Sequence, residues 1–219
     1  MTELWDITPP LSAATPVFPG DTPFGFEWLA QCCKGASANV STITLSPHVG
    51  AHVDAPLHLS DVGHDVSQYS LERFLGPCVV IDLSDALPNK QPKDALIGAE
   101  YLSDEVWTAI TSRTVPRVLF KTRKERPLEW TEAFYALKPE LVFALALAGV
   151  RLIGIDTPSI DPATSETLDA HKMALGPGMA ILENLNLSAV PAGMYELIAL
   201  PLPLVGVEAS PVRAVLRKL

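Results

Sequence analysis

The chain has 219 residues, of which 48% are hydrophobic, and this length and composition fit one folded domain rather than a disordered tail. Its 25 acidic residues outnumber its 16 basic ones, for a formal charge of −9. This balance argues against nucleic acid, which is bound through basic surfaces, and against an anionic membrane. Three cysteines without framework spacing, an acidic amino terminus and the lack of a long apolar stretch predict a cytoplasmic protein.

The first segment, at about residues 1–30, is predicted to be a stiff and mostly non-helical arm, because proline restricts the backbone. Its prolines are Pro9, Pro10, Pro16, Pro19 and Pro23. Its aromatic residues are Trp5, Phe18, Phe24 and Phe26. Disordered leaders are poor in aromatic residues, so we expect the arm to pack against the rest of the chain.

Strand-like and helix-like patterns alternate after the arm. Apolar or alternating runs predict strands at 39–55, 78–83, 117–121, 151–156, 179–183 and 195–200. Helical patterns cover 99–111, 131–148 and 165–175; Pro139 divides the second, and Thr164 or Ser165 is the predicted N-cap of the third. No internal repeat or low-complexity linker interrupts this order, so we predict a single α/β domain over residues 1–219.

The segment 48–58 contains three of the five histidines of the chain, together with an aspartate. Read as a strand with a period of two, it places His48, His52 and Asp54 on one face and only valine and alanine on the other. A helix would also bring the two histidines together, but the glycine, the valines and a proline in the segment disfavour it. Gly50, which has no side chain, would leave room for an ion between the flanking ligands.

Two imidazoles and a carboxylate suit Zn²⁺, Mn²⁺ or Fe²⁺ and leave positions open for water and substrate. His58 lies beyond this strand, and a neutral histidine near a metal is a natural general acid or base near pH 7. The pattern therefore predicts a hydrolytic metal site. Two other interpretations stay open at this point: a hydrogen-bonded polar strand edge, and a metal-binding protein without enzymatic activity, which would favour closed coordination.

This segment resembles the signature HxGTHxDxPxH of the cyclase family of metal-dependent hydrolases and departs from it only at Ala51, where the pattern has threonine. Further similarity lies at residues 4–7, 19–23, 154–159 and 209–213. Taken together, the chain looks like the bacterial kynurenine formamidases (arylformamidases) of that family. The resemblance implies a swivelling β/β/α fold, in which helices flank a mixed sheet or partly open barrel.

The same resemblance implies a binuclear zinc site with two Zn²⁺ ions per subunit, for which Mn²⁺ is an alternative. His48, His52 and Asp54 would hold one ion, and Asp54 would bridge to the second. The family completes the site with a histidine and a glutamate, which match His171 and Glu183 in this chain. The residue pattern alone singles out neither, because a histidine late in a helix and a carboxylate at a strand end are common surface features.

The reaction implied by the resemblance is hydrolysis of N-formyl-L-kynurenine to L-kynurenine and formate, with His58 moving the proton that the aromatic amine needs as a leaving group. The chain has no GxSxG sequence, which argues against a serine-type formamidase. Phe18 lies where these enzymes tend to carry a substrate-packing tryptophan; the alternative is that it anchors the arm in the core. The family also implies homodimers, and a cyclic amide or imide such as isatin is the alternative substrate.

Overall fold

Thirteen β-strands and three α-helices form the regular structure of residues 3–88 and 95–219, the part of the chain that this computed structural model describes. The strands are β1 (Leu4–Asp6), β2 (Gly25–Ala30), β3 (Val40–Thr44), β4 (His52–Asp54), β5 (Leu75–Asp82), β6 (Leu96–Ile97), β7 (Arg117–Lys121), β8 (Ala136–Leu137), β9 (Leu152–Ile155), β10 (Ala180–Glu183), β11 (Gly193–Ile198), β12 (Ala209–Pro211) and β13 (Val215–Lys218). The helices are α1 (Asp104–Thr111), α2 (Pro139–Leu147) and α3 (Asp169–Leu175). Within these residues, no helix combines the length and apolar character needed to cross a membrane.

Nine of the strands form one mixed sheet in the order β1-β13-β11-β5-β7-β9-β10-β4-β12. The central strands β5, β7, β9 and β10 are parallel, and the strands on either side of them pair in antiparallel fashion. The sheet is curled into a half-barrel. The predicted α/β class, with a mixed and partly open barrel, is confirmed. Two small sheets, β2-β3 and β6-β8, lie outside it.

Side chains of the central strands alternate between two hydrophobic clusters. Val79 and Ile81 of β5 belong to a cluster that includes residues of all three helices. Cys78 and Val80 of the same strand belong to a second cluster, which contains no residue of those helices. Successive side chains of a strand point to opposite faces, so the two clusters cover the two faces of the sheet.

The structure confirms most of the predicted strands, since β5, β7, β9, β10 and β11 lie at the expected places. The continuous strand predicted over 39–55 is wrong, because β3 and β4 are separated by a turn at 45–51. Gly50 adopts a positive φ of 71° in this turn, a conformation that favours glycine. A side chain at Gly50 would also collide with Leu11. The break is therefore built into the backbone.

The helix predictions are only partly correct. The first half of the helix predicted over 131–148 is wrong, because β8 forms there and pairs with β6, and α2 begins at Pro139. The third helix begins at Asp169 instead of residue 165, after Leu168 in a left-handed conformation. Ser165 accepts a hydrogen bond from the Leu168 N–H in the preceding loop, so its predicted role as the helix N-cap is wrong.

The amino-terminal arm is packed over its first part and ends in an exposed hairpin. Strand β1 pairs with β13 at the edge of the nine-stranded sheet, and Trp5 packs edge-on against Tyr195, with ring centroids 5.1 Å apart. Strand β2 instead forms a hairpin with β3, in which Phe26 is 54% and Trp28 50% exposed. The expectation of a packed arm is therefore right for β1 and wrong for the hairpin.

Candidate metal centre

Strand pairing brings His52 and Glu183 together. Strands β4 and β10 are antiparallel, and His52 lies directly opposite Glu183 in their register, so the two side chains share one face of the sheet. Asp54 lies two residues further along β4, opposite Ile181, and points to the same face. Because Ile181 belongs to the cluster that includes the helices, these three polar side chains lie on the helical side of the sheet.

Helix α3 brings His171 to this face, and Asp161 holds it in place. The Asp161 carboxylate accepts hydrogen bonds from the backbone N–H groups of Ala170 and His171, at 3.0 and 2.9 Å. Its Oδ2 also lies 2.7 Å from Nδ1 of His171. Since Nδ1 is engaged, Nε2 is left to face Asp54 and Glu183, whose carboxylate oxygens lie 3.5 and 3.4 Å away.

His52 is oriented in the same way by a backbone carbonyl. Its Nδ1 lies 2.9 Å from the carbonyl oxygen of Gly50, and its Nε2 lies 3.4 Å from both Asp54 Oδ1 and Glu183 Oε2. The prediction that Gly50 leaves room for an ion is wrong, because its missing side chain would point at Leu11. Its role is to form the turn that brings its carbonyl group to His52.

His48 reaches the site from the turn before β4. Its Nδ1 lies 3.1 Å from Asp54 Oδ1, and its Nε2 lies 3.4 Å from Glu208 Oε1. Its ring packs edge-on against His52, with centroids 4.9 Å apart. The prediction that both histidines lie on one strand is wrong, yet the turn brings them to the same carboxylate.

Two overlapping groups of side chains could each hold a metal ion. They are His48, His52 and Asp54, and Asp54, His171 and Glu183; within each group the ligand atoms lie within 4.8 Å of one another. Both carboxylate oxygens of Asp54 are buried, and no described residue gives them an aligned hydrogen bond, despite the nearby imidazoles. Burying such oxygens is costly unless something compensates them, and a cation would. The residues present therefore fit a metal ion.

The charges around Asp54 also favour a cation. Burial lowers the pKa of His48, but the Asp54 carboxylate, 3.1 Å from its Nδ1, and the charges of Glu183 and Glu208 outweigh burial and raise the pKa to about 9. Burial also opposes protonation of His171, yet nearby carboxylates raise its pKa well above the ordinary value. A divalent ion would replace these protons, because metal-binding imidazoles must be neutral.

His58 lies beside both ligand groups without belonging to either. It ends the 3₁₀ turn Pro56–His58, and its ring centroid lies 4.6 Å from that of His48 and 5.7 Å from that of His171. Burial lowers the pKa of His58, against the raising effect of the Asp54 and Glu183 charges. The imidazole is therefore neutral near pH 7, the state that a proton acceptor needs.

A cavity of about 490 Å³ opens onto these side chains. Its walls include the imidazoles of His48, His52, His58 and His171 and the carboxylate of Glu183. Phe18 lines the same cavity, is 46% exposed, and packs edge-on against Trp130 with ring centroids 5.1 Å apart. The alternative that Phe18 anchors the arm in the core is therefore wrong.

Reasoning from the sequence missed several residues of this site: Asp161, Glu208, Arg123 and Trp130. Glu208 directly precedes segment 209–213, which resembles the cyclase family, and this position could have marked it as a site residue. Asp161 lies well before the first residue of α3, so no capping pattern identifies it. The segment after β7, which carries Arg123 and Trp130, has no motif at all.

Comparison with known proteins agrees with this site. Residues 5–162 match the family described as "Putative cyclase". The chain is 49% identical, over 220 residues and the whole length of both chains, to the kynurenine formamidases of Bordetella avium and Bordetella pertussis. A structure described as a predicted metal-dependent hydrolase from Bacillus stearothermophilus has a TM-score of 0.78 at 26% identity, covering 99% of this chain and 98% of that one. Isatin hydrolase A from Labrenzia aggregata, bound to benzyl benzoate, has a TM-score of 0.80 at 25% identity, covering 99% and 94%.

The fold and the site together define a metal-dependent hydrolase, with a centre built from histidines and carboxylates at the wall of a cavity. The chain belongs to the cyclase family, since the family match covers most of its length and full-length relatives are 49% identical to it.

Proposed function

We propose that this protein is a kynurenine formamidase, which hydrolyses N-formyl-L-kynurenine to L-kynurenine and formate in tryptophan degradation. The observation that carries the proposal is the pair of ligand groups that share Asp54 at the wall of the cavity. Such a centre suits hydrolysis by water without a protein nucleophile. The identity of 49% with Bordetella kynurenine formamidases over the whole chain supports this substrate.

The centre is proposed to bind two Zn²⁺ ions per subunit, and Asp54 would contribute ligand atoms to both. His48 and His52 would be the further ligands of one ion, and His171 and Glu183 would be the further ligands of the second ion. Imidazole nitrogen and carboxylate oxygen suit Zn²⁺, and Mn²⁺ is the alternative that the same donors accept. When bound, the metal supplies Lewis acidity that polarises the formyl carbonyl group and lowers the pKa of water.

The remaining residues of the cavity are proposed to move protons and position the substrate. The neutral imidazole of His58 takes up the proton that the attacking water loses and delivers it to the amide nitrogen, so that the arylamine can leave. The edge-to-face pair of Phe18 and Trp130 presents aromatic surface to the aryl ring of the substrate. Asp161 keeps His171 in its ligand orientation through Nδ1.

A test of this function compares two substrates in one preparation. Purified protein is expected to hydrolyse N-formyl-L-kynurenine with a kcat/KM about tenfold or more above that for isatin, because distinct pocket contacts discriminate substrates on this scale. Isatin is the alternative, since isatin hydrolase A shares the fold at 25% identity. Zinc is quantified in the same sample, then removed with chelator and restored. Faster turnover of isatin, or formamidase turnover that persists without metal, would contradict the proposal.

We also propose that the protein is a homodimer and that the hairpin β2-β3 forms part of the interface. Phe26 lies directly opposite Ile43 in the hairpin, and Trp28 packs edge-on against Phe26, with ring centroids 5.5 Å apart. Their side chains lie on one face and are 50–58% exposed. Exposed apolar faces of this kind mark association sites, and a second copy of the chain would cover this one.

The expected mass in solution is twice that of the 23.5 kDa chain, measured by light scattering after size-exclusion chromatography. The double variant Trp28→Ser/Ile43→Ser should shift the protein toward monomer, because it removes the apolar contact. Val62→Ser is the control, since Val62 is 95% exposed but lies outside the hairpin. A monomeric wild-type protein, or a double variant that remains dimeric at low micromolar concentration, would rule out this interface.

The enzyme is proposed to work in the cytoplasm. None of its three cysteines is in a disulfide: Cys78 is buried, and Cys32 and Cys33 are exposed. Exposed free thiols persist in reducing compartments.

A further inference from the structure

The segment after β7 contributes a second set of side chains to the cavity. Arg123, Arg126, Glu129 and Trp130 all line it, together with the histidines of the candidate metal centre. Arg123 follows the carboxyl end of β7, and Asp156, also in the wall, follows the carboxyl end of the neighbouring parallel strand β9. Ligands of parallel sheets bind at these ends, so the segment lies where a substrate is expected.

The guanidinium group of Arg123 is buried in this wall and poorly compensated. Its Nε and Nη2 are buried and have no hydrogen-bond partner among the described residues. Its nearest carboxylate oxygen, Oδ1 of Asp156, lies 3.9 Å from Nε. That carboxylate already accepts hydrogen bonds from the Thr122 N–H and hydroxyl groups and from the backbone N–H of Arg123. Asp156 therefore fixes the backbone beside the cavity, and its longer ion-pair contact leaves Nε and Nη2 of Arg123 without a hydrogen bond.

Two neighbouring groups, the guanidinium of Arg126 and the indole N–H of Trp130, would also be stabilised by a bound anion. Arg126 lines the same cavity, and burial together with the charge of Arg123 lowers its pKa. The indole Nε1 of Trp130 is also buried without a hydrogen-bond partner among the described residues. The carboxylates of Asp21, Glu129 and Glu166 line the cavity too, but none lies within ion-pairing distance of Arg123 in the described chain. Buried donors without acceptors are costly, and a bound carboxylate would satisfy them.

We propose that Arg123 is a specificity-determining residue that binds the α-carboxylate of the substrate, with the Trp130 indole N–H as a second donor. This inference rests on the proposed function, because N-formylkynurenine carries a formamide at one end and an amino-acid group at the other. The formamide would lie at the histidine and carboxylate cluster, and the amino-acid carboxylate at the arginine. A guanidinium binds a carboxylate through two parallel hydrogen bonds, which fixes orientation as well as affinity.

The test compares N-formyl-L-kynurenine with N-(2-acetylphenyl)formamide, which keeps the aryl formamide and the ketone but lacks the amino-acid group. Arg123→Gln is expected to lower kcat/KM for N-formyl-L-kynurenine by about 10- to 100-fold, mainly through KM, as for loss of a charge-assisted hydrogen bond. Turnover of the carboxylate-free amide should change by less than about twofold, because that substrate makes no such bond. Arg123→Lys keeps the positive charge but loses the two parallel N–H donors of the guanidinium. It should therefore recover part of the lost kcat/KM for N-formyl-L-kynurenine.

Two further variants distinguish direct binding of the substrate carboxylate from a general effect of removing positive charge from the cavity wall. Arg126→Gln removes the same charge from the same wall and should lower kcat/KM for N-formyl-L-kynurenine less than Arg123→Gln does. Trp130→Phe keeps an aromatic ring, removes the N–H group and should lower kcat/KM more for N-formyl-L-kynurenine than for the carboxylate-free amide, which provides a test even if Arg123→Gln fails to fold. Equal losses on both substrates, or equal losses in both arginine variants, would overturn the inference. Absence of N-formyl-L-kynurenine hydrolysis by the wild-type protein would instead overturn the proposed function.

Discussion

Replacing Asp54 by asparagine is expected to remove the metal and the activity together. Asp54 is the one residue shared by both ligand groups, and both of its carboxylate oxygens are buried without an aligned hydrogen bond. The amide keeps the size of the side chain but provides one neutral oxygen in place of two charged ones. Because a catalytic metal supplies several kcal/mol of transition-state stabilisation, kcat/KM should fall by about a thousandfold or more. Zinc per chain and kcat/KM for N-formyl-L-kynurenine are measured on the same sample.

The matched control for this variant is Asp65→Asn. Asp65 is also buried, and its carboxylate accepts hydrogen bonds from the Ser67 and Gly206 N–H groups, outside both ligand groups. That substitution should lower stability and leave the zinc content of the folded protein unchanged. An Asp54→Asn protein that retains two zinc ions and turns over near the wild-type rate would show that Asp54 is not the shared ligand.

His58→Ala is expected to separate chemistry from metal binding. The His58 ring lies beside those of His48 and His171, in the cavity wall but outside both ligand groups. Its lowered pKa, caused by burial, leaves it neutral and able to accept a proton at pH 7. Turnover should therefore drop by about a hundredfold or more, as for loss of a general acid–base group, while zinc content stays near the wild-type level. Turnover and zinc content are measured on the same sample of the His58→Ala protein.

The comparison that decides the role of His58 uses two other histidines. His64→Ala removes a half-buried ring that packs on Tyr69 and does not line the cavity, so both activity and zinc should persist. His52→Ala removes a member of a ligand group and should lose zinc. A His58→Ala protein with as little zinc as the His52→Ala protein would reassign His58 as a metal ligand.

The core strands were predictable because they lie in the centre of the sheet. Strands buried on both faces are nearly continuous apolar runs, and β7 (Arg117–Lys121) was predicted with the bounds that the structure has. Short strands gave no such signal. Strand β8 has only two residues, Ala136 and Leu137, and exists because β6 pairs with it; its sequence alone favours the helix that follows.

Within the site, the local pattern and the tertiary structure contributed different residues. By itself the sequence determined that His52 and Asp54 share one face of an extended segment, with His48 and His58 close by in the chain, because alternation along a strand is a local property. The wider family resemblance, outside the signature itself, added His171 and Glu183 without explaining their positions. Only the tertiary structure decided that Glu183 lies opposite His52, that Asp161 orients His171, and that Arg123 and Trp130 reach the same cavity. These neighbours depend on the register of the whole sheet and on loops far apart in the chain, which no local spacing encodes.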